Sequence, residues 1–332
     1  MRKPSGQSIF LATVVAGCAA ALVWLAATGS GDLENQAEAG NARNRLEDIP
    51  FDGAQAYRYL NEICDLGTRV SGTPGMARQQ DLLERHFADA GGSVSRQAFR
   101  VRHPQTGAAV EMANLIVQWH PQRTNRVLLC THYDTRPFPD RDPRNPRGTF
   151  IGANDGASGV ALMMELAQHM PGMQGPVGVD FVLFDGEELV YSDRDTYFLG
   201  SRWFAEQYVL KPPAYKYRWG VLLDMVADAD LRIFQERNSV EWADTRPLVN
   251  DIWKTARKLG VSDFVARPRH AVNDDHLSLH DIAKIPTCDI IDFDYPHWHT
   301  ERDVPAQCSA LSLAKVGWVI KTWLEAQAAG AK

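Results

Sequence analysis

Residues 179–188 have the sequence VDFVLFDGEE, and the first six of them predict a buried strand. A short, mostly apolar run of this length is typical of a strand in the interior of a sheet. Residues 126–130 (RVLLC) form a second run of this kind, and a helix with an apolar face is predicted between the two, at residues 160–169. A strand, a crossing helix and another strand form the repeating unit of a parallel sheet.

The alternation of strands and helices extends along the chain and predicts the fold class. Further helices are predicted at residues 54–66, 75–90, 200–208, 248–259 and 310–324, and further strands at residues 93–101, 112–119, 220–223 and 287–293. This alternation is typical of a single α/β domain with a mostly parallel central sheet flanked by helices on both faces. The domain is predicted to cover residues 51–328, and the four prolines of residues 137–148 argue against regular structure there.

The composition is that of an ordinary globular protein. Of the 332 residues, 45% are hydrophobic and 23% are charged, and the formal net charge is −6. Because a nucleic-acid-binding protein usually has an excess of basic residues, no nucleic acid is expected as a partner. None of the five cysteines lies in a C-x-x-C pair, so a thiolate zinc site is not indicated.

The N-terminal segment, residues 1–31, is predicted to direct export. A basic start precedes an apolar run at residues 9–27, which is close to the ~20 residues that span a bilayer. Cleavage after this run, retention as a signal anchor and lipoprotein processing at Cys18 are the alternatives, and we favour the anchor. Each places the domain outside the cytoplasm, as a membrane-anchored or a periplasmic or extracellular protein, after a polar linker at residues 32–50.

Histidine and carboxylate residues follow the predicted strands at the points where the strands end. The five residues that stand at such ends, or in the glycine-rich turn GANDGASG, are His132, Asp155, Glu188, Asp224 and His299. Because ligands of open α/β sheets bind outside the carboxyl ends of the strands, we expect these side chains at one edge of the sheet. Taken singly, each motif also fits a solvated turn or a helix cap.

Together, these residues predict a zinc site of the catalytic type. Nitrogen and carboxylate ligands without thiolate suit catalytic zinc, which keeps one position open for substrate. Asp134 stands two residues after His132 and on the same side of an extended chain, so it is expected to orient that imidazole. Glu187, adjacent to the ligand Glu188, is predicted to be a general acid or base.

The ordered set HYD, GANDGASG, FDGEE, LLDM and WHT resembles the M28 family of zinc exopeptidases over nearly the whole chain after residue 50. The resemblance implies the zinc-aminopeptidase type of α/β fold. It also implies that two zinc ions are held by the five residues at the strand ends, with Asp155 bridging them. Glu187 would be the proton shuttle.

A narrower resemblance is to the bacterial type of glutaminyl-peptide cyclotransferase, an enzyme that converts N-terminal glutamine of peptides to pyroglutamate and releases ammonia. The motifs HYDTRPF, NDGASGV, FLGSRWFA, GVLLDMV, DDH, IPTCDIIDF and WHT carry it. It implies one zinc ion, bound by Asp155, Glu188 and His299. His132 and Asp224 are then candidates for a second metal ion.

The same resemblance implies further site residues. The implied catalytic residues are Glu187, Asp224 and Asp274, and the implied residues of the substrate pocket are Trp298 and Asp275. The expected partners are the N-termini of peptides or proteins, with the membrane contacted through the N-terminal segment only.

The chain departs from the animal cyclotransferases at two positions. The loop at residues 189–196 has Tyr191 and no tryptophan, and Asp289 stands where the animal enzymes have histidine. Because all five ligands of the two-zinc peptidases are present, an M28 aminopeptidase with two zinc ions is the alternative to a cyclotransferase with one. A non-catalytic binding ectodomain on the same fold is the remote alternative. Its distinguishing feature would be the loss of ligands or of Glu187, and neither is lost.

Overall fold

The strands form where short apolar runs occur in the sequence. Within residues 45–330 they are β1 (Ser93–Arg102), β2 (Ala109–Trp119), β3 (Asn125–His132), β4 (Val177–Phe184), β5 (Lys216–Asp224), β6 (Ile233–Gln235), β7 (Phe264–Pro268) and β8 (Thr287–Ile291). The central sheet has the order β1-β2-β4-β3-β5-β8, and β6 pairs with β7. β4, β3, β5 and β8 are parallel, whereas β1 and β2 extend the sheet in antiparallel pairing. The predicted mostly parallel sheet is confirmed.

The helices cover both faces of this sheet, as predicted. In the same residues they are α1 (Gly53–Asp65), α2 (Pro74–Asp89), α3 (Ala157–Ala167), α4 (Leu199–Leu210), α5 (Arg237–Glu241), α6 (Arg246–Leu259), α7 (Asp275–Asp281) and α8 (Ala310–Gly330). The larger hydrophobic cluster joins one face of the sheet to α1, α2, α3, α6 and α8. The smaller cluster joins the other face to α4 and α7.

β3 illustrates why the central strands are apolar at successive positions. Val127 and Leu129 belong to the larger cluster, whereas Leu128 and Cys130 belong to the smaller one. Successive side chains of a strand point to opposite faces, so a strand covered on both faces needs apolar residues throughout. Burial of each leucine stabilises the fold by about 1.5–3 kcal/mol.

The predicted helices and strands are present, with ends that differ by a few residues. The structure adds two short strands, β6 and β7, and two short α-helices, α5 and α7, that the sequence patterns did not indicate, together with 3₁₀ turns at Leu46–Asp48 and Pro305–Gln307. Residues 137–148 contain neither helix nor strand, as expected. The described cysteines, Cys64, Cys130, Cys288 and Cys308, are free and buried.

The structure, a computed structural model, describes residues 45–330. Residues 46–330 form one compact unit. The predicted export segment at residues 1–31, and most of the predicted linker, lie outside the described residues. Within residues 45–330 there is no helix with the length and apolar character needed to cross a membrane.

Candidate active site and metal centre

The parallel register brings polar residues at the ends of β3 and β5 to one edge of the sheet. His132, the last residue of β3, is paired with the last residue of β4, and Asp224 is the last residue of β5. His132 Nε2 lies 3.3 Å from Asp224 Oδ1 and 3.2 Å from Asp155 Oδ1. The structure therefore brings together three of the five predicted ligands.

Glycines allow the turn that carries Asp155 to approach these strand ends. Gly156 has a φ of +95°, and a Cβ there would lie 2.7 Å from the Asp134 carbonyl oxygen. A Cβ at Gly159 would lie 2.2 Å from Thr131 Oγ1 and 2.5 Å from a carbonyl oxygen of β5. Only residues without a side chain fit at these two positions, so the start of α3 packs against the sheet edge. The Asp155 amide is fixed by donation to Asp303 Oδ2 at 3.1 Å.

Asp155, Glu188 and His299 form a second group, called here the metal group. His299 Nε2 lies 2.9 Å from Glu188 Oε1 and 3.5 Å from Asp155 Oδ2. One ligand atom from each residue lies within 4.8 Å of the others, and all three residues are buried. Asp155 Oδ2 and Glu188 Oε2 are buried without a hydrogen-bond partner. A divalent cation would satisfy both oxygens, and the nitrogen and oxygen donor set fits zinc.

The side chains of Glu187 and Glu188, in the turn after β4, point into two different groups of residues. The amides of Glu187 and Glu188 donate to Asp134 Oδ1 and Oδ2 at 3.1 and 3.0 Å. Glu188 enters the metal group, whereas Glu187 groups with Asp274 and Asp275. Asp134 thus fixes the glutamate turn, and its predicted contact with the His132 imidazole is longer, 3.6 Å from Nδ1.

Glu187, Asp274 and Asp275 are three carboxyl groups packed together, with the two aspartates buried and the Glu187 side chain 12% exposed. Burial raises the pKa of Glu187 well above its usual value, with His132 opposing the shift and Asp274 adding to it. Burial, followed by the charge of Asp224, likewise raises the pKa of Asp274 well above its usual value. Displaced pKa values of this kind are characteristic of groups that transfer protons at catalytic sites.

A cavity of about 470 Å³ opens onto both groups. Its lining includes the metal group, Glu187, Asp224 and Asp274, and Trp298 forms part of the wall, with its ring centroid 4.2 Å from that of His299. Asp275, predicted as a pocket residue, is fully buried and does not line the cavity. A groove of about 500 Å³ between the end of α3 and α8 contains none of the predicted residues.

Arg136 and Asp140 also belong to the site, and neither was predicted from the sequence. Arg136 Nη1 lies 2.9 Å from Glu188 Oε1, and its Nε and Nη2 each donate to Asp140 at 2.9 Å. Burial would raise the pKa of Glu188, but His299 and Arg136 outweigh it and lower that pKa to about 2, so the carboxylate is ionised and able to bind a cation. The motif HYDTRPF contains Arg136, but nothing in the sequence indicates that Arg136 pairs with Asp140 or Glu188.

The α/β fold and the buried histidine and carboxylate groups at its strand ends define a metalloenzyme. Residues 114–324 match the model of peptidase family M28, and the chain belongs to this family.

Solved structures similar to this chain include glutaminyl cyclases and exopeptidases. Fimbriiglobus ruber glutaminyl cyclase is 42% identical, with a TM-score of 0.79 over 83% of this chain and 96% of that chain. A Zn-dependent exopeptidase from Parabacteroides distasonis is 29% identical, with a TM-score of 0.77 over 83% of this chain and 99% of that one.

A curated animal relative matches over a shorter stretch. The glutaminyl-peptide cyclotransferase-like protein of Bos taurus is 26% identical over 152 residues, which are 42% of this chain. The match spans 38% of the length of that relative. The comparisons therefore establish an enzyme of the M28 and glutaminyl cyclase family. They do not distinguish glutaminyl cyclase activity from exopeptidase activity.

Proposed function

We propose that the chain is a zinc-dependent glutaminyl-peptide cyclotransferase of the bacterial type, which acts on peptides or proteins that begin with glutamine. The main support for the proposal is that the metal group and the carboxyl groups of Glu187 and Asp274 lie next to each other and line one cavity. The metal group provides the zinc ligands, and Glu187 with Asp274 provides carboxyl groups for proton transfer. The 42% identity to a solved glutaminyl cyclase supports the same activity.

The residues of the chain would have the following roles in the cyclisation. Glu187 accepts a proton from the substrate's α-amino group, which attacks the side-chain amide carbon, and later returns a proton to the departing ammonia. Asp274 lines the cavity beside Glu187 and accepts a hydrogen bond from the amine, while Trp298 walls the side-chain pocket. Since the attack is intramolecular, much of the rate comes from holding the reactive rotamer.

One zinc ion, held by Asp155, Glu188 and His299, would supply Lewis acidity at the side-chain carbonyl. Asp224 and His132 then lie next to the metal group, where Asp224 is placed to bind the incoming amine. We further propose that the domain acts outside the cytoplasm and is anchored through its N-terminal segment.

A second candidate function, an M28 aminopeptidase, is favoured by one observation. Asp155 belongs to both ligand groups, because His132 and Asp224 also present ligand atoms within 4.8 Å of it. His132, Asp155, Glu188, Asp224 and His299 would then hold two zinc ions, and Glu187 would deprotonate an attacking water.

The test compares two peptides that differ only in the first residue, glutamine or alanine, with the purified full-length protein. A cyclotransferase releases ammonia from the glutamine peptide, seen by mass spectrometry, leaves the alanine peptide intact and contains one zinc ion by elemental analysis. Release of free amino acids with two zinc ions per chain would favour the peptidase instead.

A further inference from the structure

The imidazole of His299 has charged neighbours on both sides. Its Nε2 faces the metal group, as described above. Its Nδ1 lies 3.2 Å from Asp140 Oδ1, within ion-pair distance, and is buried without a hydrogen-bond partner in this geometry. Histidines that bind metal commonly present their second ring nitrogen to a carboxylate, which fixes the tautomer and the ring orientation. Asp140 is placed to do this for His299.

Asp140 is itself held by Arg136. The guanidinium donates from Nε and Nη2 to the two Asp140 oxygens, each at 2.9 Å, and from Nη1 to Glu188 Oε1 at 2.9 Å. A planar guanidinium holds carboxylates in a fixed orientation when it binds through two nitrogens. One rigid cation therefore fixes both the ligand Glu188 and the partner of the ligand His299.

The backbone around His299 needs such support. His299 has a φ of +57°, a left-handed conformation that is uncommon for residues other than glycine. The loop at residues 137–148 packs against it, since the Arg141 amide donates to the His299 carbonyl oxygen at 3.1 Å. In the same loop, Asp142 Oδ2 accepts from the Glu301 amide at 3.1 Å.

We infer that Asp140 is a positioning residue that orients His299 for metal binding, and that Arg136 holds Asp140 and Glu188 in place for this purpose. The side chain of Asp140 is 45% exposed, whereas that of its bidentate partner Arg136 is only 6% exposed. Loss of Asp140 is therefore expected to affect metal affinity directly, and its effect on stability is measured separately. The inference rests on the metal site of the proposed function, and it holds for one zinc ion or two.

The test measures the zinc dissociation constant of the full-length protein by competition with a chromophoric chelator. D140A is expected to weaken zinc binding roughly 10–100-fold, the usual effect of removing the partner of a histidine ligand. D140N keeps the volume and a weaker acceptor, so its dissociation constant should lie between those of D140A and the wild type.

The matched control is D142A in the same loop. Asp142 accepts from the amides of Arg144, Asn145 and Glu301 and does not contact His299, so its loss perturbs the loop but not the imidazole. Zinc affinity close to that of the wild type is expected for D142A. Unfolding of the zinc-free D140A and wild-type proteins, measured in parallel, separates any change in fold stability from the change in zinc affinity.

The outcomes separate the inference from the proposed function. Failure of the wild-type protein to bind zinc would rule out the metal site itself. A wild-type protein that binds zinc, together with unchanged affinity in D140A and D140N, would overturn the role of Asp140 and leave the proposed function standing. If D142A and D140A lose zinc affinity equally, the effect comes from loop folding, and the role of Asp140 is also overturned.

Discussion

The metal group and a second buried group contain the same residue types in different surroundings. The second, called here the closed group, consists of Asp274, His276 and Asp289, whose ligand atoms also lie within 4.8 Å of one another. The metal group lines the cavity beside Arg136, whereas His276 and Asp289 are at most 1% exposed and do not line it.

The difference lies in how each group is neutralised. In the closed group, His276 Nε2 lies 3.4 Å from Glu236 Oε2, and His276 Nδ1 lies 3.8 Å from Asp289 Oδ2. Burial, with the charge of Asp274 adding to it, raises the pKa of Asp289 well above its usual value and so favours its uncharged form. Asp289 and Asp274 also have buried oxygens without a hydrogen-bond partner, so ligand residue types and free oxygens alone do not define a metal site. What the closed group lacks is access from the cavity at His276 and Asp289.

The largest difference between the groups is expected for removal of one histidine from each. H299A removes a ligand and should abolish stoichiometric zinc binding, since the remaining carboxylates of the metal group leave the ion under-coordinated. H276A should retain zinc. Elemental analysis of both purified variants checks this, and equal zinc loss in the two would erase the distinction.

The next effect concerns turnover. E187Q keeps the shape of the side chain but cannot accept a proton, so turnover of a glutamine-initiated peptide should fall by roughly 10²–10⁴-fold with zinc still bound. Steady-state kinetics and zinc analysis on the same preparation measure both. Activity close to that of the wild type would show that Glu187 is not the proton acceptor.

A smaller effect, on stability, is expected for H276A. Removal of one partner from a buried ion pair usually costs about 3–5 kcal/mol in the free energy of unfolding, because the other charge stays buried. Glu236 still accepts hydrogen bonds from Asn238, Ser239 and Val272, so the lower end of that range is expected. Urea unfolding of H276A and the wild type provides the comparison, and an unchanged midpoint would contradict it.

The smallest effect is expected for D289N, in the pH dependence of stability. An aspartate in the unfolded chain loses its proton near pH 4, whereas folded Asp289 keeps its proton to a much higher pH. Between these two pKa values the folded state binds the extra proton, so Asp289 makes stability fall as pH rises. The advantage of the wild type over D289N should shrink from pH 5 to pH 8 in urea unfolding. A constant difference would mean that Asp289 is ionised in the fold.

The sequence predicted those parts of the fold and site that depend on short stretches of chain. Apolar runs located β3, β4 and β5, and the residues that follow them located the strand ends. Asp155 could be predicted because glycines on both sides marked a turn against the sheet. By contrast, β6 and α5 have three and five residues, too few to show a periodic pattern.

Contacts between distant segments were beyond the sequence analysis. Asp140 acquires its role only because the loop at residues 137–148 packs on the loop that carries His299, with Asp142 and Glu301 159 positions apart. Asp275 was expected on the pocket wall, but α7 begins at this residue and Asp274 caps the helix, so the two neighbouring side chains point in different directions. The orientation of adjacent side chains depends on that helix boundary, which no pattern indicated.

The three residues of the metal group come from three separate loops, and the described cysteines form no disulfide. An ion bound by Asp155 and His299 would therefore act as a removable cross-link that closes a long loop of the chain. Closure of a long loop reduces the entropy of the unfolded chain. The persistence of the folded protein would then follow the supply of zinc in its surroundings, so that metal scarcity would shorten its lifetime as well as stop its chemistry.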